Sequence, residues 1–392
     1  MENQQDYRIL IVDDAPENID ILGSILHSYK KSVALNGEKA LKLVAGPNVP
    51  DLILLDIMMP GMDGFEVCRR LKADPKTKDI PVIFITAKNS VEDETMGLEL
   101  GAVDFLPKPI SPPVVLARVK NQLELLQARA DLIKQNRQLS ERNTYITDSI
   151  NYAKRIQTAI LPDLQRFRQL FPNSFLIYQP KDIVSGDFYW CGETGNIKIV
   201  AAADCTGHGV PGAFMSLIGN TLLNEIIYSE RILDPGEILR ALDQGIADEL
   251  NKDKGSETLD GMDITICILN TETGILTYSG ANRPLFYFTE QGFNEIKGDH
   301  KSIGDNKKKL DYQTYTLNLS EIKSFYLFTD GFIDQLNANN EKFGTRQFRE
   351  LLLQIQGMHA DEQKSRLGEA HKRHMDKEPQ LDDITIIGII NN

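Results

Sequence analysis

Cysteine is scarce in this sequence and shows no pairing. The four cysteines, Cys68, Cys191, Cys205 and Cys267, form no C-x-x-C pair and are scattered along the chain, so neither a disulfide framework nor a zinc site is indicated. Long apolar runs are also missing. None approaches the ~18 residues needed to span a bilayer, and the opening MENQQDYRIL is polar and acidic, unlike the basic-then-apolar pattern of a secretory leader. These absences lead us to expect a cytoplasmic protein with no membrane contact. Positive charge is in deficit as well: 43 Lys and Arg face 56 Asp and Glu, a net charge of −13. A nucleic-acid footprint needs clustered cations to displace counterions, and no helix-turn-helix pattern is recognisable, so no nucleic-acid partner is expected. The acidity suits a chain that holds divalent cations, although solubility alone accounts for it in many proteins. Repeats and low-complexity tracts do not occur.

What is present falls into three segments, and 392 residues are too many for one ordinary core. From Arg8 to about Gln122, short apolar runs (ILIVDD, LILLDIMM, PVIFITA, AVDFLPKP) alternate with amphipathic stretches such as NIDILGSIL. Strands buried on both faces read as continuous apolar runs, so the segment predicts a doubly wound α/β domain with a five-stranded parallel sheet. Ligands bind such sheets outside the carboxyl ends of the strands. The polar residues that end the runs, Asp13 and Asp14, Asp56, Thr86 and Lys108, are therefore expected at one edge.

From about Val115 to Ile160 there is almost no Gly or Pro, and apolar residues recur three and four apart, which predicts one long helix. Leu116, Val119, Leu123, Leu126, Ala130 and Ile133 form one seam. Leu132, Leu139, Ile146, Ala153 and Ile160 form a second at seven-residue spacing, one position out of phase. Asn136, Asn143, Ile150 and Gln157 make its partner row, partly polar as in coiled coils whose register is fixed by a buried Asn. The pattern predicts a coiled-coil linker and a parallel homodimer, against the plainer alternative of one helix packed on its own domains. From about Ser174 onward strands predominate (SFLIYQP, DFYWCG, IKIVAAAD, DITICILN, ILTYSG, LFYFT, SFYLFTD, DITIIGII), with helical stretches at Pro211 to Tyr228, Pro235 to Leu250 and Arg346 to Ile355. This predicts an α+β fold, a two-sheet β-sandwich flanked by helices. The expected domains are residues 1–122, a helical linker 123–165, and 166–392.

Three converging carboxylates, Asp13, Asp14 and Asp56, would repel one another severely without a cation, and Mg2+ is the hard, oxygen-seeking ion suited to them. Thr86 can donate its hydroxyl to a phosphoryl oxygen, and Lys108 brings positive charge to the same group. Taken singly, Asp13 and Asp14 read as caps ahead of Pro16 and Lys108 as a solvated loop charge. Together, in strand order, they read as a phosphoryl-transfer site. The series DD, LLDIMMPGMDG, ITA and FLPKP closely resembles the response-regulator receiver family over about the first 120 residues. That resemblance implies that Asp56 accepts phosphate from a sensor histidine kinase or phosphotransfer protein. It implies that Asp13, Asp14, Asp56 and the main-chain carbonyl of Met58 hold Mg2+, and that Thr86 and Phe105 are the switch pair. Pro60, Gly61 and Gly64 would shape the loop beyond the acceptor.

The C-terminal segment carries acidic residues in distinctive contexts: VSGDFYW (Asp187), AAADCTGHG (Asp204), LFTDGF (Asp330) and QLDDITII (Asp382, Asp383). Carboxylates facing one another in a cleft are tolerable with metal, and two divalent ions ~3.5 to 4 Å apart can activate water for in-line attack at phosphorus. In isolation Asp330 before Gly331 is a common turn dipeptide and Asp382 with Asp383 a strand cap. Asp260 and Asp263, flanking a strand start, read as ordinary turn residues. The density of Gly186, Gly207, Gly209 and Gly212 suits close backbone approach. These motifs resemble the metal-dependent PPM phosphatases, and specifically their SpoIIE-type branch, over roughly Phe175 to Ile390. The resemblance implies two Mn2+ or Mg2+ ions and a phosphoserine or phosphothreonine protein as substrate. Asp204 would bridge the metals, with the carbonyl of Cys205 as a further ligand and Asp187, Asp330 and Asp382 completing the set, Asp383 ranking below Asp382. It also implies a partner-switching role with a STAS-type anti-sigma-factor antagonist as substrate. Two departures stand out: His208 lies four residues after Asp204 rather than two, leaving the general acid unassigned, and the sequence does not place the phosphate-binding arginine of eukaryotic members, Lys181 being a weak candidate that reads rather as a surface charge. The alternative expectation is a catalytically weak adaptor that binds a sigma factor or anti-sigma partner, in which metal carboxylates would be lost.

Overall fold

A computed structural model describes residues 6–87, 91–250, 260–305 and 311–391, without the side chains of 91–94. The chain divides into two compact units, Met1–Arg142 and Asn143–Asn392.

In the first unit, strands β1 (Arg8–Val12), β2 (Lys30–Ala34), β3 (Leu52–Asp56), β4 (Val82–Ala87) and β5 (Asp104–Lys108) alternate with helices α1 (Pro16–Ile25), α2 (Gly37–Val44), α3 (Gly64–Ala73) and α4 (Val91–Glu99). The strands form one parallel sheet in the order β2-β1-β3-β4-β5. The two-residue period of β1 and β3 feeds two cores. Leu10, Val12, Ile53 and Leu55 pack on the face that also carries Ala40, Val44, Val67 and Leu71. Ile9, Ile11, Leu52 and Leu54 pack on the other, with Leu22 and with Val115, Val119 and Leu123. Every residue of β3 is buried, which is why its run is continuously apolar up to Asp56.

The long helix expected from about Val115 is α5, Pro112–Ile160, opened by two prolines whose missing N–H groups cost nothing in a first turn. Its first seam splits: Val119 and Leu123 are buried and Leu126 half-buried, whereas Leu116 and Ile133 are exposed. Leu132, Leu139 and Ile146 of the second seam are exposed within this chain. Gln157 departs from its expected place in the polar row. It is buried in the second unit, where its amide donates to the Ser185 carbonyl at 2.6 Å and Ser216 Oγ at 2.8 Å and accepts from the Ser185 N–H at 3.2 Å. Among the described residues, no helix is long and apolar enough to cross a membrane.

The second unit begins with the end of α5 and continues through α6 (Leu164–Leu170), β6 (Ser174–Gln179), β7 (Phe188–Thr194), β8 (Ile197–Cys205), α7 (Gly209–Asn224), α8 (Pro235–Leu250), β9 (Met262–Asn270), β10 (Ile275–Ala281), β11 (Leu285–Thr289), β12 (Gly292–Ile296), β13 (Tyr315–Asn318), β14 (Ser324–Phe328), α9 (Gly331–Asp334), α10 (Gly344–Ile355), α11 (Ala360–Met375) and β15 (Ile384–Ile390). Two antiparallel sheets result, β13-β10-β9-β8-β7 and β12-β11-β14-β15-β6. Alternation along β8 distributes its side chains: Val200 and Ala202 face the layer shared with Leu327 and Ile387 of the other sheet, while Ile199, Ala201 and Ala203 face Leu223, Leu239 and Leu242 of α7 and α8. On the far side Phe286, Phe328 and Ile386 pack against Phe348, Leu352 and Leu367 of α10 and α11. The result is four layers, helices outside two sheets. All four cysteines are free and buried.

Candidate active site

In the first unit, the strand ends bring the expected residues together. Asp13 follows β1, Asp56 ends β3, and a ligand oxygen from each of Asp13, Asp14 and Asp56 lies within 4.8 Å of the others. Lys108 Nζ, from the end of β5, stands 2.9 Å from Asp56 and 3.2 Å from Asp13. Asp13 is fully buried and accepts from the Ala15 N–H at 2.9 Å and from the Asn18 amide at 2.9 and 3.0 Å. Burial pushes the Asp56 carboxyl above its ordinary range while the Lys108 bond opposes the rise. An all-oxygen donor set with one buried carboxylate disfavoured in its charged form fits a hard divalent cation. Thr86 is buried and donates to the Ala87 carbonyl at 3.1 Å. Phe105 is buried against Phe84, with ring centroids 5.8 Å apart. Met58 is exposed.

In the second unit, four chain segments converge. Asp187 precedes β7, Asp204 lies near the end of β8, Asp330 follows β14, and Asp382 and Asp383 precede β15. Asp187 is buried and its Oδ2 accepts from Thr329 Oγ1 at 2.6 Å. Asp383 is also buried, but its oxygens are committed to the main chain, accepting from the N–H groups of Lys181 and Gly186, each at 2.7 Å. Asp382 is exposed and lines, with Asp204, Thr206, His208, Asp263 and Asp305, a cavity of about 650 Å³. Asp330 occupies the N-cap position of α9 without making a capping bond, so its carboxylate is not spent on the turn.

Two residues that the sequence reading passed over belong to this cluster. Arg283 Nη2 stands 2.5 Å from Asp204, 2.7 Å from Asp330 and 3.5 Å from Asp263. Asp263, read as an ordinary turn residue, faces Asp204 directly across the β8–β9 ladder. Like charges opposite one another are unfavourable. Ser302 Oγ at 2.7 Å and the Asn282 amide at 3.0 Å donate to Asp263, and Arg283 stands between the two carboxylates. The motif GANRPL carries only a turn signal, so nothing local marks Arg283 as a site residue. His208 Nδ1 is 2.9 Å from Asp182 Oδ2, both side chains about half exposed. Lys181 contributes its main-chain N–H through the bond to Asp383.

Burial lifts the Asp187 carboxyl to about 8, with Asp383 and Asp382 adding to the rise and the Thr329 bond opposing it. Asp204 is pushed well up by burial and by Asp187, against Arg283. Asp382, exposed at its surface side, is also raised, first by partial desolvation where it lines the cavity. Among the described residues only Asp13, Asp14 and Asp56 bring ligand oxygens within 4.8 Å of one another. The carboxylates of the second unit are oxygen donors of mixed burial, two of them held by Arg283, a chemistry that suits divalent cations, which would favour the ionised forms. Carboxyls with raised values take up protons on folding, so without metal their effect on stability declines as pH climbs from the ordinary carboxylate range, ~4, towards 8. We expect chelator-treated protein to melt at a lower temperature at about pH 8.5 than at about pH 6, and Mn2+ to narrow the gap. Melting temperatures that do not fall over this interval in chelator would contradict the assignment of the raised values.

Comparison with known proteins assigns both units to families. Residues 9–120 match the response regulator receiver domain family. Residues 195–390, half of the chain, match the stage II sporulation protein E (SpoIIE) family. Among curated proteins the chain is similar to a probable cyclic di-GMP phosphodiesterase of Vibrio cholerae, 44% identical over 137 residues, which are 35% of this chain and 31% of that protein. It is also similar to the response regulator PleD of Caulobacter vibrioides, 51% identical over 116 residues, 29% of this chain and 25% of that protein. The chain thus spans a third or less of the length of these relatives. Among solved structures, the SiaA-PP2C domain of Pseudomonas aeruginosa is similar over 64% of this chain and 99% of that one, at 32% identity and a TM-score of 0.59. The chain therefore belongs to the SpoIIE family, with a PP2C-type fold, and carries a response regulator receiver domain ahead of it.

Proposed function

We propose that this protein is a response regulator whose output is a metal-dependent phosphoserine/phosphothreonine protein phosphatase, with residues 1–122 as receiver, 123–165 as linker and 166–392 as the catalytic domain. The observation that carries the reading is the group of carboxylates from four chain segments, Asp187, Asp204, Asp330 and Asp382, beside an open cavity. Asp204 would bridge two Mn2+ or Mg2+ ions, with the Cys205 carbonyl, Asp187, Asp330 and Asp382 as further ligands. When bound, such ions supply Lewis-acid charge neutralisation and lower the pKa of an attacking water. The chain's own groups hold this arrangement: Thr329 orients Asp187, and Asp383 fixes the backbone at Lys181 and Gly186, which makes it a support of the site as well as a lesser ligand candidate.

For the receiver, we infer that Asp56 accepts phosphate from a histidine kinase or phosphotransfer protein, with Mg2+ held by Asp13, Asp14, Asp56 and the Met58 carbonyl. Thr86 and Lys108 would meet the phosphoryl oxygens and Phe105 would follow Thr86. The net added charge of about −1, an acyl phosphate in place of a carboxylate, would be read out through α5. This helix starts in the receiver core at Val115 and Val119 and ends with Gln157 hydrogen-bonded to Ser185, two residues before Asp187. The exposed second seam, Leu132, Leu139 and Ile146, suits a parallel homodimer, and its phase break near Ala130 to Leu132 is a candidate bistable element. The substrate inferred from the family resemblance is a STAS-type anti-sigma-factor antagonist. The test is Mn2+-dependent phosphate release from a phosphoserine protein, with chelator abolishing it. A small acyl-phosphate donor is expected to change the rate, and Asp56→Ala to remove that change, while sedimentation of the same samples reads a dimer. Equal rates with and without donor would reject the coupling, and a monomer in both states would reject the dimer.

A further inference from the structure

We propose that Arg283 is an internal cation that competes with divalent metal for the carboxylates of the phosphatase site, so that this side chain sets the metal concentration at which the site fills. The inference rests on the reading of Asp204 and Asp330 as metal ligands. Arg283 lies in the turn between β10 and β11, and its side chain is only 12% exposed. Arginine ordinarily meets a carboxylate side-on, two N–H groups to two oxygens. Here one nitrogen, Nη2, contacts Asp204 and Asp330 and lies 3.5 Å from Asp263. Oxygens from three chain segments gathered around one positive centre is the arrangement carboxylates adopt around a metal ion. Arg283 Nε, by contrast, is buried with no hydrogen-bond partner. The carboxylates, rather than the guanidinium's own donor pattern, therefore dictate where the side chain sits.

The main chain holds the residue in place. Tyr278 Oη donates to the Arg283 carbonyl at 2.7 Å, and a Cβ at Gly280 or Gly298 would come within 2.2 or 2.6 Å of that same oxygen. The loop is packed closely at this carbonyl, so a swing of the side chain would release the carboxylates to another cation. Asp204 Oδ2 and Asp330 Oδ2 cannot serve the guanidinium and a metal together without crowding two positive charges. The measured metal affinity is then the intrinsic affinity reduced by the fraction of molecules in which Arg283 is disengaged.

The experiment is a Mn2+ calorimetric titration of the full chain carrying Asp13→Asn and Asp14→Asn, which removes receiver carboxylates from the signal. Against that background Arg283→Met is expected to bind Mn2+ about tenfold more tightly, and Arg283→Lys to show a smaller gain in the same direction. The methionine variant should also melt lower than its parent in chelator yet gain more in melting temperature from Mn2+. Affinity that is unchanged or weaker in both variants overturns the proposal, and if the methionine variant does not fold, the lysine variant decides alone. Asp204→Asn in the same titration separates the two ideas. Loss of Mn2+ binding there with no gain at Arg283 rejects only the competition, whereas Mn2+ binding that survives Asp204→Asn rejects the metal reading and the competition with it.

Discussion

Replacing Asp204 by asparagine is expected to lower Mn2+-dependent phosphate release from a phosphoserine protein by about a thousandfold or more, equivalent to roughly 4 kcal/mol of transition-state stabilisation. The substitution keeps the side chain's shape and removes one charge. The backbone there is held by the β8–β9 ladder, in which Asp204 pairs with Asp263, while the β7–β8 ladder reaches Ala203 beside it, so the ladder should survive. Burial already disfavours the ionised form of Asp204, and asparagine removes that penalty while leaving Asp330 to face Arg283. We therefore expect a folded, inactive protein with a melting temperature within a few degrees of wild type in chelator. Activity within a few-fold of wild type would remove Asp204 from the centre of the site and with it the two-metal assignment.

Gly212→Ala is expected to be nearly as damaging by a different route. A Cβ at this position would lie 2.1 Å from the Gly207 carbonyl oxygen and 2.8 Å from the Gly186 Cα. Both are main-chain atoms, and Gly207 itself sits at φ +84°, so neither can step aside cheaply. The contact joins the loop before Asp187, the loop after Asp204 and the first turn of α7, and forcing it apart displaces two candidate ligands at once. Overpacking of this kind costs about 1–3 kcal/mol, which lowers the melting temperature of a domain this size by roughly 2–12 °C. Activity should fall by at least about a hundredfold, because a displacement near 1 Å can cost that much in a positioned site. Gly368→Ala is the control. It lies inside α11 with nothing within 4 Å of a Cβ, so it should be neutral or stabilising by up to about 1 kcal/mol. Equal behaviour of the two variants would mean that the glycine packing around the site is incidental.

The receiver was legible because its signals are local. A buried parallel strand is a continuous apolar run, and the residue that ends it must sit at the sheet edge, so Asp13, Asp56 and Lys108 could be located from ILIVDD, LILLD and FLPKP alone. Most of the sandwich strands were legible for the same reason, the short and more exposed β12 and β13 excepted, and so were Asp187, Asp204 and Asp330, each at a boundary between strand and turn. Helix α11 was less so: its buried face is Ala360, Gln363, Leu367 and His371, too polar to register as an apolar stripe. Gln363 fits a core only because Tyr326 donates to its side-chain oxygen and its amide reaches the Met358 and Gln356 carbonyls.

The sequence by itself determined most of the strands and helices and at which strand ends the acidic residues stand, because periodicity and turn chemistry act over a few residues. Only the tertiary structure decided which side chains share the site. Arg283 meets Asp204 across 79 residues and Asp330 across 47, Thr329 reaches Asp187 across 142, and Gln157 leaves the expected polar row for Ser216, 59 residues on. Each pairing satisfies a charge or donor that burial would otherwise leave costly, and its partner is chosen by how the two sheets stack and close rather than by any neighbour in the chain.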